Sequence, residues 1–458
     1  MSNKPYASSC EVKSIALYKA NDDSKPYANL INMVSGLQYH EDITAPAYAA
    51  TMTVVDNAEN IISTMPIQGF ERVIFTVEAF DVEYVYYFRI ARIINRSNKD
   101  RQNIYTLYLL SEEALVNEGV RVNNILTGTP TEITRNLLQQ YLNVSPSLLG
   151  DSNLDKSEGR MKFLPAKKSP FSIIRSLQTK TVRKAKPKSA TKKGEAPVTS
   201  GPSAIPRSDI TIAQQSKGTA GFLFYRTYAG FAFKSIDALC EQTPVAEPFK
   251  YLPGKTTYES PFKIQEIEYQ SEINMMKSLR EGVYSSVVCF FDINTGKYQE
   301  YVYSLKNTWD DMVHLGSQSK LPAGMERLTN YPSRVMSAIV NNECWYSGSE
   351  IASEKSEYID TQKEYLSQGI SRLGIMSNQV LTISLTGHLE LTVGNLINIR
   401  VPNQVSDRDR DKETWDPENS GTYLVSKLNH QFDISGGTVY TVLQLIRDSY
   451  GIRDEEPN

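Results

Sequence analysis

Hydrophobic and polar residues alternate along both ends of the chain. In the stretch RVIFTVEAF, Val73, Phe75 and Val77 share one face, whereas Arg72 and Thr76 lie on the other. A period of two is typical of a β-sheet with one buried side. Similar stretches fill the first 125 residues, and the alternation returns near residue 381. It ends in a long hairpin pattern, SGTYLVSKLNHQFDISGGTVYTVLQLIRDSYG, over residues 420–451.

A helical pattern interrupts the strands in the middle of the chain. The stretch TGTPTEITRNLLQQYLN offers Thr129 as N-cap, Pro130 at the first helical position and Glu132 two residues later, which together form a capping box. The stretch KSPFSIIRSLQTK begins in the same way, with Ser169 as the cap before Pro170. The two patterns predict a small helical lobe.

These patterns predict a mainly β fold with α insertions, in the α+β class, organised around two antiparallel β-barrel domains. The predicted divisions are a first β domain over 1–125, completed by part of 219–260; a helical lobe over 126–182; a flexible basic loop over 183–218; a mixed α/β region over 261–375, whose hairpin 284–303 contributes to the second half; a second β domain over 376–451; and a tail over 452–458.

The two β domains contain hairpins with similar spacing. Seventeen residues separate Phe88 from Tyr105 in the first and Tyr423 from Tyr440 in the second. Each second tyrosine is followed by a threonine, and glycine-led strands precede both hairpins. The residues of this structural motif are Phe88, Tyr105, Thr106, Gly394, Tyr423, Leu428, Tyr440 and Thr441. Chance remains an alternative to duplication, because aromatic and β-branched residues dominate any strand.

A duplicated β domain has a geometrical consequence. If three such chains form a symmetric ring, six similar domains surround one axis. The ring could then contact a hexamer on one face and a trimer on the other. Under this hypothesis the function depends on matching symmetries, and no catalytic group is needed.

Composition and charge narrow the functional classes. The formal net charge of -3 gives no overall attraction to nucleic acid or anionic lipid. No apolar run of membrane-spanning length occurs, so we expect no membrane insertion. The basic run at 183–193 leaves one alternative open, a nucleic-acid-binding β-barrel protein, although no aromatic residue interleaves the charges for base stacking.

The sequence offers little for chemistry. No HExxH, GxSxG or Walker motif occurs, so we expect no enzyme, no cofactor and no metal. Asp407, Asp409, Asp411 and Glu418 have calcium-loop spacing, but Lys412 replaces the glycine that the turn of such a loop needs. A solvated loop is therefore the favoured interpretation. A tail-associated cell-wall hydrolase stays as a second alternative, to be tested by zymogram.

Three stretches together resemble a known family: AGFLFYRTYAGFAFKSIDAL, GHLELTVGNLINIRVPN and the C-terminal hairpin. They are similar to the baseplate central hub proteins of contractile-tailed bacteriophages. The resemblance implies two tube-type β-barrel domains per chain and a homotrimeric ring in the virion tail baseplate, assembled in the bacterial cytoplasm. It implies contacts with the tail tube or its initiator proteins, with a trimeric spike and with neighbouring baseplate proteins, and non-specific passage of DNA. Because no β-helix repeat follows the last hairpin, we expect the spike to be a separate polypeptide.

Overall fold

The computed structural model of the chain describes residues 8–20, 22, 24–57, 61–99, 102–184, 210–212, 218–251, 261–271, 274–292, 296–317, 331–339, 365–403 and 415–451. These residues form a mainly antiparallel β protein with several helices, as the sequence predicted. The strands are β1 Glu11–Tyr18, β2 Ala28–Asn29, β3 Val34–Asp42, β4 Ala49–Asp56, β5 Arg72–Ala79, β6 Val82–Lys99, β7 Gln102–Leu110, β8 Leu126–Gly128, β9 Ser157–Glu158, β10 Met161–Phe163, β11 Val182–Lys184, β12 Ile210–Ile212, β13 Gly218–Ala220, β14 Phe222–Thr227, β15 Gly230–Ser235, β16 Phe249–Tyr251, β17 Lys263–Ile264, β18 Glu266–Ser271, β19 Ser285–Asp292, β20 Lys297–Ser304, β21 Arg334–Ile339, β22 Gln379–Thr386, β23 Leu396–Arg400, β24 Gly421–Asp433 and β25 Thr438–Arg447.

Helices connect some of these strands. They are α1 Ile61–Thr64, α2 Glu112–Gly119, α3 Pro130–Leu142, α4 Pro170–Gln178, α5 Ile236–Cys240, α6 Met275–Glu281, α7 Leu305–Thr308 and α8, whose described part covers 365–375. Single 3-10 turns lie at Pro146–Leu148 and Trp309–Asp311. Within the described residues, no helix is long and apolar enough to cross a membrane.

Fourteen strands belong to one large sheet. Its main path runs β17-β16-β23-β24-β3-β4-β7-β6-β5-β1-β2, and β25, β22 and β18 continue from the other side of β24. In β5 alternate residues are buried, which confirms the period of two seen in the sequence. One apolar core spans both ends of the chain, from Ile15 to Leu445. No strand pairing among the described residues closes either end of this sheet into a barrel.

The helical lobe has its own core. Thr129 and Glu132 form the predicted capping box at the start of α3. Ser169 precedes α4 as predicted, but its side chain makes no cap hydrogen bond to the backbone. Four phenylalanines of the β14–β15 hairpin pack into this lobe, namely Phe222, Phe224, Phe231 and Phe233, whereas Leu223, Tyr225 and Ala232 of the same hairpin join the main core. The hairpin therefore joins the lobe to the sheet.

Strand pairing locates two of the predicted divisions. Within 219–260, part of which was predicted to complete the first β domain, Arg226 N of β14 donates a hydrogen bond to the Ala45 carbonyl, and β16 pairs in parallel with β23. Hairpin 284–303, predicted to contribute to the second half, forms a separate four-stranded sheet with β12 and β21. Alternation alone identifies a strand without identifying its neighbour.

Candidate functional site: a junction between two similar units

Two groups of five strands in the large sheet have the same order. The first unit is β3-β4-β7-β6-β5, and the second unit is β18-β22-β25-β24-β23. Every neighbouring pair within each unit is antiparallel. In the first unit β3 and β4 are consecutive, whereas α6, β19, β20, α7, β21 and α8 lie between β18 and β22 along the chain.

Local irregularities coincide in the two units. The pairing of β6 with β7 shifts register after Ile90, and the pairing of β24 with β25 shifts register after Val425. The Ile90 carbonyl accepts a hydrogen bond from Phe70 N at 2.8 Å, and the Val425 carbonyl accepts one from Gly394 N at 2.9 Å. A β-bulge shared at one position is a specific feature, because bulges re-aim the strand that carries them.

The register changes the residue correspondences taken from spacing alone. Val425 and Ile90 correspond, but the turn between Asp433 and Thr438 is two residues longer than that between Lys99 and Gln102, whereas β6 carries one extra residue between Ile94 and Ser97. The net effect shifts β25 by one residue relative to β7. Tyr105 is 1% exposed and Tyr440 is 41% exposed, so these tyrosines occupy opposite faces of the sheet. Thr441, which is buried, takes the place of Tyr105. The equal spacing of 17 residues therefore does not mark equivalent positions.

The remaining residues of the predicted motif fall into two groups. Phe88, Tyr423 and Leu428 are buried in the main core on β6 and β24. Thr106 is half-buried on the other face of β7. Gly394 corresponds to Phe70, since each donates its backbone N–H to the carbonyl of the residue before a bulge, Val425 or Ile90. Both also have positive φ, +84° and +75° respectively.

Sequence comparison guided by the pairing finds a correspondence that hairpin spacing missed. The stretch LQYHEDI, residues 37–43, aligns with IEYQSEI, residues 267–273, at a constant shift of 230. Leu37 and Ile267 contact the main core, and Tyr39 and Tyr269 fall at matching positions. After Tyr269 the register of β18 shifts by one residue, so Gln270 has no counterpart in β3. The similarity is short and lies far from both hairpins, so the signal was present but too weak to notice without the strand order.

The two units meet where β24 pairs with β3. Residues Lys427 to Asp433 run antiparallel to Asp42 to Gly36. The same edge of β24 is occupied by β23 over its first residues, so β24 continues past the end of β23 into the first unit. We call this pairing the β3–β24 junction. It makes the two units a continuous sheet.

A buried carboxylate fixes the junction. Glu41, 3% exposed, accepts hydrogen bonds from the Tyr39 hydroxyl at 2.7 Å, Tyr228 N at 2.9 Å and Val393 N at 3.0 Å. Burial raises the pKa of Glu41 to about 7, and the three donors oppose that rise. Because Tyr228 follows β14 and Val393 precedes β23, one side chain ties together three parts of the fold.

Aromatic rings fill the space beneath the junction. Tyr39 lies 4.8 Å from Tyr86 between ring centroids, and Phe75 lies 4.9 Å from Phe432. His430 stacks on Tyr39 and lies 2.9 Å from the Thr441 hydroxyl through Nδ1. Burial lowers the pKa of His430 to about 3, so the ring is neutral at pH 7. The rings beneath the junction therefore form a packed core.

A second buried polar cluster lies at the end of β25. Arg372 on α8 contacts Asp448 at 2.9 Å and Asp237 at 3.1 Å, and His314 Nδ1 lies 2.8 Å from Asp448. The Arg372 and His314 side chains hold the pKa of Asp448 well below its usual value, although burial acts in the opposite direction. The network joins α8 of the inserted region to the end of the second unit. Removing one of its members would leave a buried, uncompensated charge.

Several predicted features fall elsewhere. Asp407, Asp409 and Asp411 of the calcium-like spacing lie outside the described residues, and Glu418 is exposed beside Asp416. Most of the basic loop, including the run at 185–193, lies outside them as well. Across the part of the chain that the structure describes, no cluster of His, Cys, Asp and Glu is arranged to hold a metal ion.

The chain is similar in structure to phage tail and baseplate proteins, the class named by the sequence resemblance. No protein-family model and no curated protein matches it. A tail protein from Neisseria meningitidis MC58 shares 9% identity with a TM-score of 0.49, covering 96% of this chain and 97% of that one. A 43 kDa tail protein of prophage MuSo2 from Shewanella oneidensis shares 9% identity with a TM-score of 0.47, covering 95% and 98%. An E. coli component of the type VI secretion system shares 9% identity with a TM-score of 0.37, covering 97% and 78%. At these identities and TM-scores the likeness carries no argument about function.

Proposed function

We propose that the chain is the structural hub of a phage tail baseplate. Three copies form a ring that joins the hexameric tail tube to a separate trimeric spike. The observation that carries the proposal is the recurrence of five strands, in one order and one sense, within a single polypeptide. We take the two units as copies of one tube-type domain, so that three chains present six similar walls around an axis.

The proposed activity is mechanical. A hub must hold its neighbours while the tail contracts, so its strength depends on packed interfaces and on continuity between its domains. The shared apolar core and the β3–β24 junction supply that continuity within one chain. Contacts between chains would have to be of obligate size, which is on the order of 2,000 Å² or more.

DNA would pass through the bore of the ring without being bound. A formal net charge of -3 supports this part of the proposal, because a channel that attracted phosphate strongly would slow the passage. Neighbouring baseplate proteins would contact the outside of the ring. The proposed location is therefore the virion tail, after assembly in the bacterial cytoplasm.

Native mass spectrometry of the purified chain, with negative-stain images of the same sample, tests the proposal. We expect a trimer at micromolar concentration and top views with three or six similar densities around an opening. A stable monomer at that concentration would overturn the proposed hub. A chain with its basic loop deleted serves as control: a hub still forms trimers, whereas a nucleic-acid-binding protein loses salt-sensitive affinity for DNA.

A further inference from the structure

Several strand edges in the large sheet have no strand beside them among the described residues, and two of these belong to the repeated units, on β18 and β6. β18 pairs with β22 alone. β6 pairs with β7 along one edge and with β5 along the other, but the β5 pairing ends at Arg89. Beyond Ile90, which bonds to Phe70 and Glu71, the β5 side of β6 has no described strand partner. Open edges expose backbone donors and acceptors that readily pair with another strand.

The counterparts of these two edges are joined to each other within the chain. β24 corresponds to β6, and β3 corresponds to β18. Past Val425, on the side where β23 lies, β24 pairs with β3. The β3–β24 junction therefore indicates that the open edge of β18 fits the open edge of β6.

We propose that β18 of one copy pairs antiparallel with the second half of β6 of the next copy, repeating the β3–β24 junction between chains. The inference rests on the proposed trimer and identifies the surfaces that form it. It also fixes a register. Gln38 and Gln431 are paired in the junction, and their counterparts in the ladders are Glu268 and Ser97. These two residues should lie opposite each other across the interface.

Charge supports this pairing. Glu266 and Glu268 are exposed on β18, whereas Arg92 and Arg96 are exposed on β6. Arg92 is also the counterpart of Lys427, which forms an ion pair with Asp42 at 3.5 Å in the β3–β24 junction. Opposite charges on facing strands favour pairing, and like charges oppose the self-pairing of either edge.

The proposed contact uses a different surface on each partner. Such a head-to-tail contact cannot stop at a dimer unless one edge stays open, and it closes into a ring when the rotation between copies allows. Each chain would give β18 to one neighbour and β6 to the other. Pairing of this kind, in which an edge strand extends a partner's sheet, is a common mode of recognition.

Cysteine cross-linking tests the register directly. The chain carrying Ser97→Cys and Glu268→Cys is oxidised mildly and run on a non-reducing gel. Directly opposed residues have Cβ atoms about 4.5–5.5 Å apart, close to disulfide range. We expect covalent dimers and trimers that a reductant removes. The matched control carries Ser97→Cys and Glu266→Cys; this moves one cysteine by about 7 Å on the same face, so it should cross-link at least ten times less. The unsubstituted chain, with its four native cysteines, gives the background.

Native mass spectrometry on the same samples separates the possible failures. A trimer without the Ser97–Glu268 cross-link would overturn this interface and leave the hub proposal intact. A monomer would overturn both. Cross-linked dimers without trimers would overturn the head-to-tail arrangement, because a ring of three contains three equivalent contacts.

A charge variant tests the same edges without new cysteines. Glu268→Arg should raise the concentration at which half of the chains are monomeric by roughly 2- to 5-fold, the size expected of one exposed ion pair. Adding Arg96→Glu should restore the original value. If Glu268→Arg has no effect on assembly at low salt, the proposed pairing of these edges is wrong.

Discussion

The two units differ most at the edge that β3 and β18 provide. In the first unit, β24 covers that edge and Glu41 anchors it, whereas the corresponding edge of β18 has no described strand partner. One chain therefore contains the β3–β24 junction and also two open edges, on β18 and β6, that could form the same contact between chains. The internal copy can therefore be measured in one chain, and the proposed copy only in the assembly.

The same comparison applies residue by residue along the two hairpins. Phe432 pairs with Val439 on β25, and Asn98 pairs with Asn103 at the corresponding place on β7. Phe432 is buried against Phe75, whereas Asn98 is exposed. One position is thus core in one unit and surface in the other, because β3 covers one strand end only.

Truncating these two residues should give the largest difference. Phe432→Ala removes a buried ring from beneath the β3–β24 junction and should lower the free energy of unfolding by about 3–5 kcal/mol. Asn98→Ala, its matched control, should change it by less than about 0.5 kcal/mol. Urea unfolding followed by tryptophan fluorescence measures both. Equal losses would contradict the view that only one of the two strand ends lies in a core.

A glycine and its counterpart should differ next. Gly394 has a φ of +84°, and a Cβ there would collide with the hydroxyl of buried Tyr225. Gly394→Ala should therefore cost about 2–4 kcal/mol. Phe70→Gly relieves a similar positive φ but loses the contact of Phe70 with Arg89, 5.0 Å from the ring centre. We expect a change of less than about 1 kcal/mol, by thermal unfolding. A large loss of stability in Phe70→Gly, together with none in Gly394→Ala, would contradict the expected difference between these two positions.

The pH dependence of stability tests the anchor of the covered edge. Glu41 has a folded-state pKa of about 7 against an ordinary value of 4.5. Between pH 4.5 and 7 the folded chain holds a proton that the unfolded chain has released. The free energy of unfolding should therefore fall as pH rises across this window, by up to about 3 kcal/mol, and then level off.

The Glu41→Gln variant serves as the reference for that measurement. His430 acts in the opposite direction between pH 3 and 6.5, because its depressed pKa makes the folded chain bind fewer protons than the unfolded one. Subtracting the variant's curve from that of the unsubstituted chain removes this contribution. A difference curve without slope between pH 4.5 and 7 would show that Glu41 is ionised at the junction throughout.

Local chemistry made part of this fold predictable. The alternation in β5 and the capping box of α3 depend on residues close in sequence, and both were confirmed. The β14–β15 hairpin formed where the sequence placed it, with its turn between Thr227 and Gly230.

Strand neighbours were not predictable in the same way. The hairpin of β19 and β20 has the same alternation as strands of the large sheet, yet it pairs elsewhere. Equal spacing misled the comparison of Tyr105 with Tyr440, because a turn longer by two residues and a bulge in β6 together shift β25 by one residue relative to β7. Glu41 was missed, since nothing near it in sequence reveals the distant Tyr228 and Val393 amides that hold it.

A cryo-EM map of the assembled chain, at a resolution that separates strands, tests the central claim most directly. We predict a ring of three chains in which six five-strand units surround one opening. The sheet should run without a break through β3–β24 inside each chain and through β18–β6 between chains. A map in which the two units of one chain take unrelated positions about the axis, or point toward different openings, would contradict the account.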